Sequence, residues 1–158
     1  MIIIAHRGLT NGPDLLLQNN PDQVQLALSL GFDVEIDVWF IEGKYFLGHD
    51  TPDYEVKLAW LTTPNLWIHC KNLPAFFHFN DKGSTIYNYF WHETDAVVLT
   101  SKSKIWTYMG KPETQHQDSI CVMPEITYSW NQIEYFIKNE LWGGICTDYP
   151  LRIQQCLK

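Results

Sequence analysis

The chain has 158 residues, a net charge of −7, and a composition that is 46% hydrophobic and 15% aromatic. That length suits one domain, 1–158, with a core of its own, and is too short for two ordinary domains. The acidic balance and the lack of any Lys or Arg run exclude a surface that neutralises a phosphate backbone, so nucleic acid is not an expected partner.

The chain opens on "MIIIAHRG", a β-branched apolar run ending in His6-Arg7-Gly8, where the glycine turns the chain. This start lacks the basic flank and length of a secretory leader. No later stretch approaches a membrane span, so no stable membrane insertion is expected. "NNPDQVQLALSLG" reads as a helix. Asn20 is its N-cap, Pro21 suits the first helical position, Gln23 completes a capping-box pattern and Gly31 supplies a left-handed end. Val24, Ala27 and Leu28 share one face. "FDVEIDVWF" is the second strand. Strand, helix, strand in this order is a βαβ unit, which implies a parallel sheet.

"KYFLGH" reads as a short extra strand, "LWIHCKN" as a third core strand and "LPAFFHFNDKG" as a helical or irregular connection. "TIYNYFW" is a fourth core strand. "DAVVLT" and "KIWTYMG" follow too closely for a parallel crossover, which takes about a dozen residues. They read as a hairpin or an irregular excursion. "SICVMPE" is another strand, "WNQIEYFIKNELWGG" a helix with Ile133, Phe136, Ile137 and Leu141 on one side, and "GICTDYP" the last strand. The seven Trp read as packing rather than as carbohydrate platforms. Cys70, Cys121, Cys146 and Cys156 show no CxxC spacing, and three lie in strand-like runs. Buried free thiols and a reducing, cytoplasmic setting are expected.

Polar residues gather at the strand ends. His6-Arg7, Glu35 and Asp37, His69 and Lys71, Glu125, and Asp148 all fall at C-terminal ends of expected strands. In a parallel α/β sheet or barrel those ends converge on one face. Side-chain alternation puts Glu35 and Asp37 on the same side, and likewise His69 and Lys71. Two carboxylates facing one interior repel and lose hydration unless a cation lies between them. Their hard oxygens suit Mg²⁺ or Ca²⁺; the bland alternative is a solvated strand face. His6 and His49 can move protons near neutral pH. Arg7 and Lys71 supply positive charge for a phosphate oxyanion, against the alternative of Arg7 in a structural ion pair. His78, His92 and His116 have no matching context and read as surface or packing residues.

"AHRG", then "EID", then "GHD", then a strand ending in Lys71, and finally "GGICTDYP" resemble the glycerophosphodiester phosphodiesterase family. That family belongs to the phosphatidylinositol-phospholipase-C-like TIM barrels. The resemblance covers Ile2 to Asp50, is looser at "LWIHCKN" and returns at the C-terminus; the stretch from Leu73 to Met123 does not align. It implies a metal-dependent phosphodiesterase acting on a glycerophosphodiester or related small phosphodiester. His6 and His49 would be the acid–base pair, Arg7 would bind phosphate and Lys71 would steady developing charge. Glu35 and Asp37 would hold the divalent ion. In the family a neighbouring substrate hydroxyl attacks phosphorus, expels the alcohol and forms a cyclic phosphate that water opens.

Two departures stand out. The family's usual Glu is His69 here, which brings Mn²⁺ or Zn²⁺ into consideration beside Mg²⁺ and Ca²⁺. The third metal ligand is either His69 or another group such as Glu125, and the family's acidic residue ahead of Asn19 is Gln18. A (β/α)₈ barrel typically takes about 250 residues and rarely fewer than about 200, so a TIM-barrel-like fold must be shortened or incomplete, with roughly six to seven core strands and helices missing on one side. The open wall is closed either by the Trp- and Tyr-rich middle or by a homodimer. The competing functional reading is a catalytically degenerate barrel that binds a phosphorylated ligand or serves as an assembly domain.

Overall fold

The β-branched start forms β1 (Ile2–Ala5) in the computed structural model of the chain, which describes residues 1–82 and 85–157. His6–Gly8 make a tight turn in which Arg7 takes φ 52° and Gly8 φ 77°. α1 (Pro21–Ser29) begins where Asn20 accepts hydrogen bonds from the backbone of Asp22 and Gln23. The expected capping box does not close. Gln23 Nε2 donates instead to the Gly8 carbonyl at 3.0 Å, tying the helix to the His6–Gly8 turn. β2 (Asp33–Ile41) then pairs parallel with β1, Ile4 against Asp33 and Ala5 against Val34.

β3 (Lys44–Leu47) folds back antiparallel on β2, and β4 (Tyr54–Val56) follows antiparallel on β3. The short α2 (Leu58–Leu61) leads to β5 (Leu66–Cys70), parallel to β2 with Asp37 beside His69. The aromatic connection is a helix, α3 (Leu73–Lys82), followed by β6 (Asn88–Phe90). β7 (Val97–Leu99) and β8 (Ile105–Tyr108) form the antiparallel hairpin that their spacing allowed. β9 (Ser119–Val122), α4 (Trp130–Lys138), β10 (Gly144–Thr147) and α5 (Pro150–Cys156) complete the chain. β4, α2 and α5 lie outside the elements expected from the sequence.

The parallel strands lie in the order β6-β5-β2-β1-β10-β9-β8. Laid flat, six gaps of about 4.8 Å would put β6 roughly 29 Å from β8. Instead the rings of Phe90 on β6 and Trp106 on β8 are 4.7 Å apart, so the sheet curls until its ends meet. Ser101 bridges them, its N–H donating to the Tyr89 carbonyl at 2.8 Å. Inside the curl, Ile4, Trp67, Phe90, Trp106, Ile120 and Cys146 form one buried cluster. The aromatic middle thus fills the interior from within.

Outside the curl, Val34, Ile36, Val38 and Ile68 pack with Val24 and Ala27 of α1 and Ala75 and Phe79 of α3. Ile133 and Ile137 of α4 and Ile153 of α5 cover Cys121 and Ile145. Among the described residues no α-helix lies between β6 and β8, or between β8 and β9. The architecture is therefore mixed α/β, a curled and mostly parallel sheet with helices on part of its outer face. The four cysteines are free, three of them buried. No helix among the described residues is long and apolar enough to cross a membrane.

Candidate active site

Strand alternation decides which side chains face inward. Val34, Ile36 and Val38 point to the helices, so Glu35 and Asp37 point into the curl, where they are 2% and 1% exposed. The pairing of β2 with β5 sets His69 beside Asp37, and the pairing of β1 with β10 sets Ala5 beside Thr147. The next residues on the latter pair, His6 and Asp148, therefore meet. His6 Nδ1 lies 2.8 Å from Asp148 Oδ1. A carboxylate only accepts, so Nδ1 carries the proton and Nε2 is left 4.0 Å from Glu35 Oε2.

Asp37 is the most heavily partnered group. Its Oδ1 accepts from His69 Nδ1 at 2.9 Å, with Lys71 Nζ at 3.5 Å. Its Oδ2 accepts from Asn19 Nδ2 at 2.8 Å, with Arg7 Nε at 3.3 Å but not aligned for a hydrogen bond. Asn19 also accepts from the Asp37 N–H at 2.9 Å. It sits at φ 57°, a left-handed conformation that Asn tolerates, and is fully buried. Arg7 donates its N–H to Glu35 Oε2 at 3.1 Å and Nη1 to Gln18 Oε1 at 2.9 Å, so Gln18 orients the guanidinium.

His49 follows Gly48, whose φ is 149° and where a Cβ would collide with the Thr51 carbonyl oxygen. Trp39 Nε1 donates to the Gly48 carbonyl at 2.7 Å and holds this turn. His49 Nδ1 lies 2.7 Å from Asp50 Oδ1. His6, Arg7, Glu35, Asp37, His49, His69 and Lys71 all line one cavity of about 730 Å³. Its far wall is Trp91, His92, Trp106 and Tyr108. His92 stacks on His69 at 4.6 Å, and Phe90 stacks on it at 5.2 Å.

The structure sets Glu125 apart from this group. It does not border the cavity; its Oε1 accepts from Thr147 Oγ1 at 2.6 Å and from the Asp148 N–H at 3.1 Å. Glu125 braces the strand end that carries Asp148. His78 bonds the Tyr45 hydroxyl at 2.6 Å and His116 is exposed, as expected for packing and surface residues. His92, Asn19 and Asp148 are site residues to which sequence reasoning gave no role.

The electrostatics separate the two histidines. Burial disfavours a charged His6, but the hydrogen bond to Asp148 and the charge of Glu35 outweigh it, so its pKa is raised. Burial lowers the pKa of His49, and the charges of Arg7 and Lys71 add to that. Burial and the charge of Asp37 push the Glu35 carboxyl up. Burial would also raise Asp37, yet the hydrogen bond and charge of His69, with Arg7 and Lys71, hold it well below the carboxylate range. Burial and the charges of His69 and Lys71 push His92 down to about 4.

Oxygen atoms of Glu35 and Asp37 and a ring nitrogen of His69 lie within 4.8 Å of one another. Two buried carboxylates, one with its pKa pushed up by the other's charge, are a donor pair that a divalent cation relieves. The residues fit such an ion, and the mixed oxygen and imidazole set suits Mn²⁺ or Zn²⁺ as well as Mg²⁺. Among known proteins, no family model and no curated protein matches the chain, so the likeness to the phosphodiesterases rests on these residues alone.

Proposed function

We propose that the chain is a metal-dependent phosphodiesterase on a shortened TIM-barrel-like fold, resembling the glycerophosphodiester phosphodiesterases. Its substrate is a glycerophosphodiester or related small phosphodiester. The sequential order of the parallel strands around the curl supports the barrel reading. The observation that carries the activity is the convergence of His6, His49, Arg7, Lys71, Glu35 and Asp37, drawn from four separate segments, on one cavity.

The opposed histidine environments assign the roles. A pair of titratable groups driven apart by their surroundings marks an acid and a base. His6, raised and held by Asp148, carries the proton that goes to the leaving alcohol oxygen. His49, lowered, is neutral and takes the proton from the attacking substrate hydroxyl. Arg7 and Lys71 border the cavity as the positive charges for the phosphoryl oxygens. A divalent ion held by Glu35, Asp37 and His69 would supply Lewis-acid charge. The roles of the histidines reverse when water opens the cyclic phosphate. Free thiols, with burial pushing Cys121 up to about 12, suit a reducing compartment such as the cytoplasm.

One observation favours a second reading, a ligand-binding barrel without turnover. Asp37 already has His69, Lys71 and Arg7 around it, so its charge is compensated from within the chain. The purified protein incubated with glycerophosphodiesters and Mg²⁺, Mn²⁺, Ca²⁺ or Zn²⁺ decides between them. Release of alcohol that chelation abolishes is the expected result; calorimetric binding without any released alcohol would overturn the enzyme.

A further inference from the structure

An apolar finger stands beside the cavity and has no part in the chemistry above. Leu15 and Leu16 are each 82% exposed, the highest values among the large hydrophobic side chains of the described residues. Their turn is fixed from below. Asp14 Oδ1 accepts from the Leu16 N–H at 2.9 Å, the Asp14 carbonyl accepts from the Gln18 N–H at 3.0 Å, and the Leu16 carbonyl accepts from Tyr54 Oη at 3.4 Å. The two side chains are thus held out into water by a turn bonded at both ends.

The finger adjoins the site. A groove of about 220 Å³ is lined by Leu15, Gln18, Tyr108, His6 and Arg7, and the last three also border the main cavity. Tyr108 is more than a third exposed, and Leu9, Pro13 and Met123 also line the groove, so its wall is partly apolar. Between Gly8 and Asn20 the only charged side chain is Asp14, which is engaged with the backbone. The chain as a whole carries a net charge of −7. Nothing in the finger attracts an anionic surface, and two leucine tips expose far less than the roughly 1,200 Å² that a stable pair of proteins buries. Apolar tips on a turn, residues 9–19, that carries no cation of its own fit the acyl boundary of an uncharged lipid interface.

We propose that Leu15 and Leu16 seat the site on a zwitterionic phospholipid surface, from which the groove leads a lipid phosphodiester headgroup toward His6 and Arg7. The headgroup as substrate rests on the phosphodiesterase reading; the seat itself rests on the geometry of the finger. Attachment is shallow and reversible, no stronger than the roughly 10⁴ M⁻¹ of a single acyl anchor.

The test is co-sedimentation of the chelated protein with millimolar phosphatidylcholine vesicles, beside turnover assays on soluble and vesicle-borne diesters. The parent protein should sediment, and Leu15→Asp/Leu16→Asp should lower the bound fraction about tenfold or more. Ile86→Asp, 60% exposed on the opposite end of the strands, should leave it unchanged. Leu16→Asp should slow cleavage of the vesicle-borne diester about tenfold while cleavage of a soluble glycerophosphodiester stays within about twofold. No sedimentation of the parent, sedimentation only with anionic vesicles, an equal loss in Ile86→Asp, or a change in oligomeric state with Leu15→Asp/Leu16→Asp would each overturn the seat. Sedimentation through these leucines with no diester cleaved would sustain the seat and sink the enzyme instead.

Discussion

The two flanks of the curled sheet are built to different standards. From β1 to β5 the strands reach nine residues, helices pack on the outer face, and His6, Arg7, Glu35, Asp37, His49, His69 and Lys71 are all delivered to the cavity. From β6 to β9 the strands have three or four residues, and among the described residues no α-helix separates them. That flank contributes aromatic wall, Trp91, Trp106 and Tyr108, with His92. Positioning reacting groups to a fraction of an ångström needs strands locked by packing on both faces. A wall needs only bulk. Helices back β1 to β5, where the candidate catalytic residues are held, and return over β9 and β10, while rings close the side between.

Substitutions at the two histidines should separate the flanks most widely. General acid–base groups contribute about 10²–10⁴-fold, so His6→Ala and His49→Ala should each lower kcat by that factor with little change in melting temperature. Turnover within a few-fold of the parent would remove the histidines from the chemistry. On the aromatic flank the effect should invert. Phe90→Ala removes the ring that meets Trp106 at 4.7 Å and should cost about 3–5 kcal/mol in urea unfolding. Below its melting point the variant should keep kcat within about tenfold, since what the cavity loses is a ring against His69 and His92. A loss of about 0.5 kcal/mol, typical of a surface site, would mean the two ends of the sheet are not packed together.

Most of the first flank was legible in the sequence, because its signals are local. Asn20, Pro21 and Gly31 bracket α1, and the alternation of Val34, Glu35, Ile36, Asp37 and Val38 tells which faces in. The ends of the strands announced His6, Arg7, His69 and Lys71 for the same reason. What stayed hidden depends on pairings between distant segments. Asp148 meets His6 across 142 residues, only because β10 lies beside β1. His92 becomes part of the site through the pairing of β6 with β5, which carries it onto the His69 ring. Asn19 needed its left-handed backbone to reach Asp37, and Gln23 left its own cap for Gly8. Nothing in "VMPE" distinguishes a metal ligand from a brace, and Glu125 is the brace.

The pH dependence of turnover tests the long-range contact. In the proposed reaction His49 is neutral and His6 protonated, so the rate should rise through a His49 pKa below 6.5 and fall through a His6 pKa above 6.5. Asp148→Asn can still accept the Nδ1 proton of His6 but no longer holds its charge. Burial then prevails, and the falling limb should move acidward, so that activity is lost first on the alkaline side. The rising limb should stay where it is. A shift of both limbs together would show that Asp148 acts on the whole site rather than on His6.

The smallest effect is expected at Glu125, on the flank that has no part in the proposed chemistry. Its Oε2 is buried without a hydrogen-bond partner among the described residues, and burial raises its pKa. A carboxyl whose folded pKa lies above its unfolded one stabilises the fold at acid pH, and that contribution is lost as pH rises through the folded pKa. Glu125→Gln keeps the oxygen that accepts from Thr147 and Asp148 while removing the ionisation. The variant should match the parent in acid and gain less than about 1 kcal/mol on the way to neutral pH, read as a small rise in melting temperature. Its kcat should stay within about threefold at saturating metal, because the carboxylates at the candidate cation site are Glu35 and Asp37. A stability gain confined to acid would reverse the sign argued here, whereas a collapse of metal-dependent turnover would make Glu125 a ligand and carry chemistry across to the second flank.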